Sequence, residues 1–165
     1  MALTTAQLAT LKTAILAETD ATFVGYRTNG QTTLMADWYN APSNPSFIVY
    51  RRSVSTDEVG KTVNYVAVEA LTDLNRGRID TFYVMNPLSF SPERSDIRTF
   101  WANVFSGALG GQGQATRDAL EALWRRTATR GERLYATGTG TTVAPGALVF
   151  EGAITDADIT AALAL

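Results

Sequence analysis

Between residues 97 and 105, large apolar side chains recur as Ile97, Phe100, Trp101, Val104 and Phe105. These positions are i, i+3, i+4, i+7 and i+8. The spacing gathers all five onto one stripe of an α-helix, whereas a strand would scatter them over both faces, so the stretch predicts an amphipathic helix. Ser91-Pro92-Glu93 reads as its start, with an N-cap, a first-turn proline and an acid against the helix dipole. Gly107 ends it, and Gly110-Gly111-Gln112-Gly113 is expected to be a flexible loop. A second long helix is predicted over Ala115–Tyr135, with Leu120, Leu123, Trp124, Thr127, Leu134 and Tyr135 facing inward. Gly138-Thr139-Gly140-Thr141-Thr142 is expected as an exposed loop, and Ala147–Gly152 as a short strand. A closing helix is capped by Thr155 with Asp158 as its box partner. Ile154 and Ile159 staple it, and Ile159, Ala162 and Leu163 face inward.

The first half is built on the same rules with weaker signals. Thr4 and Gln7 form a capping box, Leu3 and Leu8 occupy the staple positions, and Leu8, Leu11 and Ile15 continue at helical spacing. Thr22–Tyr26 fits a strand or a helix, and Asn29-Gly30 marks a turn. Thr33–Tyr39 has a helical apolar pattern. Asn40-Ala41-Pro42-Ser43-Asn44-Pro45 breaks it, because each proline drives its predecessor to extended backbone. Ser46–Ser53 is β-rich, and Ser55 or Thr56 can cap a short turn through Asp57 and Glu58. Val63–Leu71 alternates like a strand, yet Val66, Ala70 and Leu74 also fit a helix. Leu74–Asn86 reads as helix, with Ile79, Phe82 and Tyr83 on one face, ending before Pro87. With no linker, repeat or low-complexity tract, residues 1–165 are expected to form one domain. The fold class is mainly α: a compact helical body with short β-strands or a hairpin and extended arm segments.

Composition bears on function chiefly through what is missing. The chain has no Cys and no His. Thiolate nucleophiles, disulfides, cysteine zinc sites and histidine-based triads are therefore ruled out, and catalysis would rest on carboxylates, Lys or Tyr. Charged residues are 18% of the chain, against about 25% in an average soluble domain, and uncharged surface is the easier kind to desolvate against a partner. The formal net charge of −2 argues against binding driven by phosphate neutralisation. The cations are nearly all Arg, with Lys only at Lys12 and Lys61. The guanidinium fork suits interfacial pairing, although GC-rich coding would produce the same bias. Met1-Ala2-Leu3-Thr4-Thr5 lacks a signal peptide's basic end and apolar run, and no stretch approaches the roughly 18 apolar residues of a membrane span. Synthesis in a reducing cytoplasm is the expectation.

Several constellations invite chemistry, and each has a plainer explanation. Gly107–Gly113 precedes a helix, but it lacks the Lys-Ser/Thr of a phosphate loop and follows no predicted strand. Arg117, Arg125, Arg126, Arg130 and Arg133 decorate the predicted second helix. Asp118, Glu121 and Glu132 share that helix and supply partners such as Glu121 with Arg125. Asp156 and Asp158 could hold a cation, but they fall in a capped first turn, where acids offset the dipole. Glu58, Glu69 and Asp73 form no catalytic pair. Tyr26, Trp38, Tyr39 and Tyr50 could make a sugar or peptide platform, a role less common for such residues than core and interface anchoring. No cofactor and no metal is expected.

Certain segments are familiar together: the Leu3-Thr4-Thr5-Ala6-Gln7-Leu8 start, Tyr39-Asn40-Ala41-Pro42, Pro45-Ser46-Phe47-Ile48-Val49-Tyr50-Arg51, the run Arg125–Gly140, and Leu148-Val149-Phe150-Glu151-Gly152 with the closing capped helix. In these the chain resembles a family of small proteins encoded among the virion-assembly genes of tailed bacteriophages and prophages. The similarity spans nearly the whole chain and is weakest over residues 60 to 95. The resemblance carries no active site. It implies a non-enzymatic virion component made in the bacterial host cytoplasm, and small helical phage proteins of this kind often form rings between portal and tail. The expected function is a head–tail connector (adaptor or neck) subunit in a ring of about twelve copies, contacting portal or tail proteins and lying near packaged DNA without reading its sequence. The alternatives are a tail terminator, a tail-associated protein or a capsid-decorating protein. A ring subunit needs arms, and Asn40–Ser53 and Thr137–Thr142 are the candidates, unless both are ordinary surface loops. Pro42, Pro45, Phe47, Tyr50, Arg125, Arg126, Arg130, Gly138 and Gly140 are the expected contact residues.

Overall fold

The computed structural model describes residues 3–106 and 110–165. It is mainly helical, as expected, with strands of only two or three residues. Two compact units emerge. Unit 1 is discontinuous, combining Met1–Val49 with Thr127–Leu165, and unit 2 is Tyr50–Arg126.

Unit 1 begins with α1 (Thr5–Ala17), α2 (Ala21–Thr28) and α3 (Thr32–Asn40). The Thr4–Gln7 capping box forms as expected, and Asp20 caps α2 through the Thr22 and Phe23 amides. Thr22–Tyr26 is thus helix, because an aspartate that satisfies two first-turn donors removes the ambiguity. The returning segment supplies α9 (Arg130–Leu134), β5 (Ala136–Thr137), β6 (Ala147–Leu148) and α10 (Asp156–Ala164). Helices α1 and α3 both pack on α10. Leu11, Ile15, Phe23, Met35, Tyr39, Ile154 and Ile159 fill the core between them. Asn40 locks α3 to the start of α10: its Nδ2 donates to the Ile154 carbonyl and its Oδ1 accepts from the Ile154 N–H, both at 2.8 Å. Thr155 and Asp158 form the expected box, and Ile159 and Ala162 are buried. Leu163, one turn on from Ile159 and in the last turn of the helix, is not buried with them and stays 37% exposed.

Unit 2 is built from β2 (Val54–Ser55), α4 (Thr56–Thr62), α5 (Tyr65–Glu69), α6 (Asp73–Met85), β3 (Ser89–Phe90), α7 (Ser95–Val104) and α8 (Gly110–Leu123). Ser55 caps α4 in a full box with Glu58, and Asn64 caps α5, which settles the 63–71 ambiguity as helix. β2 pairs antiparallel with β3, Val54 opposite Phe90. Phe82 anchors the core, with Phe90, Phe100 and Trp101 all within 5.2 Å between ring centroids.

Three expectations need correction. The helix at 97–105 starts at Ser95, not at Ser91. Ser91–Arg94 is a turn, closed by the Arg94 N–H on the Ser91 carbonyl, and Arg98 Nη1 occupies the Pro92 and Glu93 carbonyls at 2.6 and 2.7 Å. Gly110–Gly113 is the first turn of α8 rather than a loop. Gly113 is buried there, and packing offsets the weak helix propensity. The continuous helix over Ala115–Tyr135 does not exist. It stops at Leu123, gives way to β4 (Arg125–Thr127), and restarts at Arg130 behind a Thr129–Glu132 capping box. That box is a start signal lying inside the expected helix. β4 forms a two-stranded sheet with β1 (Ile48–Tyr50). Tertiary partners supply the hydrogen bonds a helix would have made locally: in unit 1 the Ala128 N–H reaches the Phe47 carbonyl and the Arg130 N–H reaches the Ala41 carbonyl. Arg117, Arg125, Arg126, Arg130 and Arg133 therefore lie on three elements, not on one helix face.

Two glycines respond oppositely to the same change. A Cβ on Gly111 in α8 would meet nothing within 4 Å, so Gly111→Ala is expected to stabilise by about 0.5–1 kcal/mol through helix propensity and unfolded-state entropy. A Cβ on Gly140, which holds φ +62°, would lie 2.2 Å from Phe47 Cδ2, so Gly140→Ala should destabilise by about 1–3 kcal/mol. Urea denaturation midpoints of the two variants check both signs.

Candidate functional site

The segments expected as arms meet at one point inside unit 1, Ile48 on Gly140, and the first of them is tied down further by residues outside the second. The Ile48 N–H donates to the Gly140 carbonyl at 2.7 Å, the Gly146 N–H donates to the Ile48 carbonyl at 2.8 Å, and Pro42 bridges to Thr129. The Phe47 ring lies flat over Gly140 and Gly146, where any side chain would displace it. Phe47 and Gly140 are buried, so the loop at 138–142 is exposed only in part. Pro42, Pro45 and Gly138 remain at the surface. In unit 2, Tyr50 is half-buried, Arg125 pairs with Glu121 as the i,i+4 spacing predicts, and Arg126 is half-buried.

Each unit carries one cleft walled by an arginine stacked on an aromatic ring. In unit 1 the Arg130 guanidinium lies 3.7 Å from the Trp38 ring centre and donates to the Trp38 carbonyl. This cleft, about 420 Å³, is lined also by Glu18, Asp20, Tyr39, Asn44 and Arg133. Glu18 is committed to the Thr19 and Asp20 amides, and Asp20 to the α2 cap. The buried Tyr39 hydroxyl and the Trp38 indole N–H have no hydrogen-bond partner. In unit 2 the Arg98 guanidinium lies 4.0 Å from the Tyr50 ring centre. Its cleft, about 200 Å³, is lined by Thr99, Trp101, Arg117, Leu120, Glu121 and Trp124 among others. Trp101 and Trp124 are almost wholly buried, and neither indole N–H has an acceptor.

Of the expected contact residues only Tyr50 and Arg130 belong to these clefts. Arg98 was missed as a cleft residue, because an arginine dozens of residues from its aromatic partner leaves no local sequence signal. Tyr39 is buried in the core of unit 1 and Tyr26 and Trp38 pack against that core, while Trp38 and Tyr39 also line the cleft. Among the described residues, no group of three or more acids stands where it could hold a metal ion, and no helix is long and apolar enough to cross a membrane.

A third surface is apolar. In unit 2, Leu74, Val84, Met85 and Leu88 are between 67% and 81% exposed. Leu74, Thr81 and Met85 recur at i, i+7 and i+11 on α6, and with Gly77, Arg78 and Phe100 they border a shallow groove.

No family model, curated protein or solved structure matches the chain.

Two phenols of unit 1 make a pH prediction. Burial, with Asp158 adding to it, pushes the Tyr135 hydroxyl from 10.0 up to about 12. Burial first and then Glu18 raise that of Tyr39. The folded state holds these protons more tightly than the unfolded chain does, so their contribution is complete below pH 10 and is lost as pH rises from 10 towards 12. Stability should therefore fall over that window. Tyr39→Phe should shallow the fall and cost nothing at pH 7, since its hydroxyl has no partner. Tyr135→Phe should cost about 1 kcal/mol at pH 7, because that hydroxyl donates to the Gln7 carbonyl at 3.0 Å. Chemical denaturation across pH 7–12 reads both.

Proposed function

We propose that the chain is a non-enzymatic structural subunit of a tailed-phage particle, acting as a head–tail connector (adaptor or neck) that assembles in a ring against the portal. The observation that carries this reading is the solvent-facing apolar surface of unit 2. Leu74, Val84, Met85 and Leu88 all stand more than half exposed. A monomer gains nothing from keeping four large apolar side chains in water, while burying each against a neighbour is worth about 1.5–3 kcal/mol. The resemblance of residues 39–51, 125–140 and 148–152 to phage virion proteins supplies the setting. The lack of His and Cys agrees with work done by contact rather than catalysis. On this reading the protein is made in the host cytoplasm and ends in the virion, touching copies of itself and portal or tail proteins. A tail-terminator, tail-associated or capsid-decorating role would be favoured by a β-sandwich body, and strands of two or three residues that pair only in twos do not favour it.

The double variant Met85→Asp with Leu88→Asp tests the proposal. Mass photometry should find the parent chain in rings of about twelve and the variant as monomers with unchanged far-ultraviolet dichroism. A parent chain that is monomeric at tens of micromolar and absent from purified virions would sink the reading.

A further inference from the structure

The geometry points to the cleft of unit 2 as a binding site for a carboxylate carried on a compact apolar stem. This holds whatever assembly the chain joins, since every residue in the argument lies in unit 2. The polar groups of the lining are donors in excess. Arg98 and Arg117 bring two guanidinium groups, and Trp101 and Trp124 stand in the same lining. Glu121 is the single carboxylate of the lining, and Arg125 already holds it. Arg98 spends one nitrogen on the Pro92 and Glu93 carbonyls, and Arg117 donates to the Gln114 side chain. Each guanidinium has five N–H donors, so both keep donors to spare. The Trp101 and Trp124 indole N–H groups are buried without acceptors, so neither indole takes up the spare donors of the two guanidinium groups. The ligand must therefore bring acceptors, and the surplus of positive charge asks that they be anionic.

The rest of the lining describes the remainder of the ligand. Leu120, Ala102, the two indole rings and the Tyr50 ring form apolar walls. The volume of about 200 Å³ is below the roughly 300–1,000 Å³ of sites for drug-sized ligands. The cleft accepts one ring or one short chain with a charged head, not a nucleotide or an extended cofactor. Bare phosphate would leave the walls empty, and a neutral ring would leave the donors unmet. The same chemistry is available from a free small acid and from the side chain of a partner's glutamate.

The test uses the full chain and the indole N–H signals in a proton–nitrogen correlation spectrum, since the chain has three tryptophans. Benzoate is the probe, benzamide its neutral counterpart and inorganic phosphate the anion without a stem. The Trp101 and Trp124 signals should move saturably with benzoate, while Trp38 in unit 1 stays still as an internal control. Benzamide and phosphate should each bind at least roughly tenfold more weakly. Arg117→Gln, at a half-exposed residue whose guanidinium donates to the Gln114 side chain, should keep the fold and weaken benzoate roughly tenfold, the worth of one charge-assisted hydrogen bond. It should leave benzamide unchanged. A blocked peptide with one glutamate, titrated in parallel, separates the two sources: tighter binding by the peptide assigns the site to a partner chain, and tighter binding by benzoate to a free acid. Unmoved Trp101 and Trp124 signals, equal affinity for benzamide, or equal affinity for phosphate would overturn the assignment.

Discussion

The chain leaves unit 1 after Val49 and re-enters it at Thr127, so unit 1 exists only if two segments separated by the whole of unit 2 find each other. A short ladder of backbone bonds does this. The Ser43 N–H reaches the Ala128 carbonyl, the Ala128 N–H reaches the Phe47 carbonyl, and the Arg130 N–H reaches the Ala41 carbonyl, all between 2.8 and 2.9 Å. The Ala128 carbonyl and N–H and the Arg130 N–H used here are groups that a continuous helix through 115–135 would have kept for itself. Breaking that helix is therefore the condition for closing unit 1, and the Thr129–Glu132 box makes the restart inexpensive. Once the ladder is in place, Gly131 presses against Ile154 so closely that any Cβ would collide with it. The Asn40 amide then ties α3 to the first residues before α10.

The arginines explain how short helices end without glycine caps. Arg27 donates to the Ile15 and Leu16 carbonyls in the last turn of α1, and Arg130 to Trp38 in the last turn of α3. Arg76 reaches the final carbonyl of α5, and Arg51 the final carbonyl of α8. These are the orphan acceptors that every helix leaves, and a charged donor there also complements the macrodipole. A forked guanidinium can meet two carbonyls at once, as Arg27 and Arg98 do, which an ammonium on a flexible stem does less well. The preponderance of Arg over Lys thus has a structural use within each unit, whatever its source in coding bias.

The surfaces left over after folding are of two kinds. One is the exposed apolar surface on α6 and just beyond it, with its shallow groove. The other is the pair of arginine-walled clefts, one in each unit.

Capping boxes and apolar periodicity made much of the helical content legible in advance. Thr4–Gln7, Thr155–Asp158, the stripe Ile97–Phe105 and the break at Asn40–Pro45 all act over at most two helical turns, so the residues that decide them sit side by side in the chain. The fate of 110–135 and of the supposed arms was settled at longer range. Whether Arg125–Thr129 is helix or strand depends on whether its N–H groups meet carbonyls of residues 41–47, and whether Gly140 is exposed depends on where Phe47 lies. The clefts are of the same sort, because Arg98 meets Tyr50, and Arg130 meets Trp38, only after the chain has folded. Local hydrogen-bond chemistry was written in the sequence itself, whereas competition between local and distant partners for the same backbone groups was decided by tertiary structure alone.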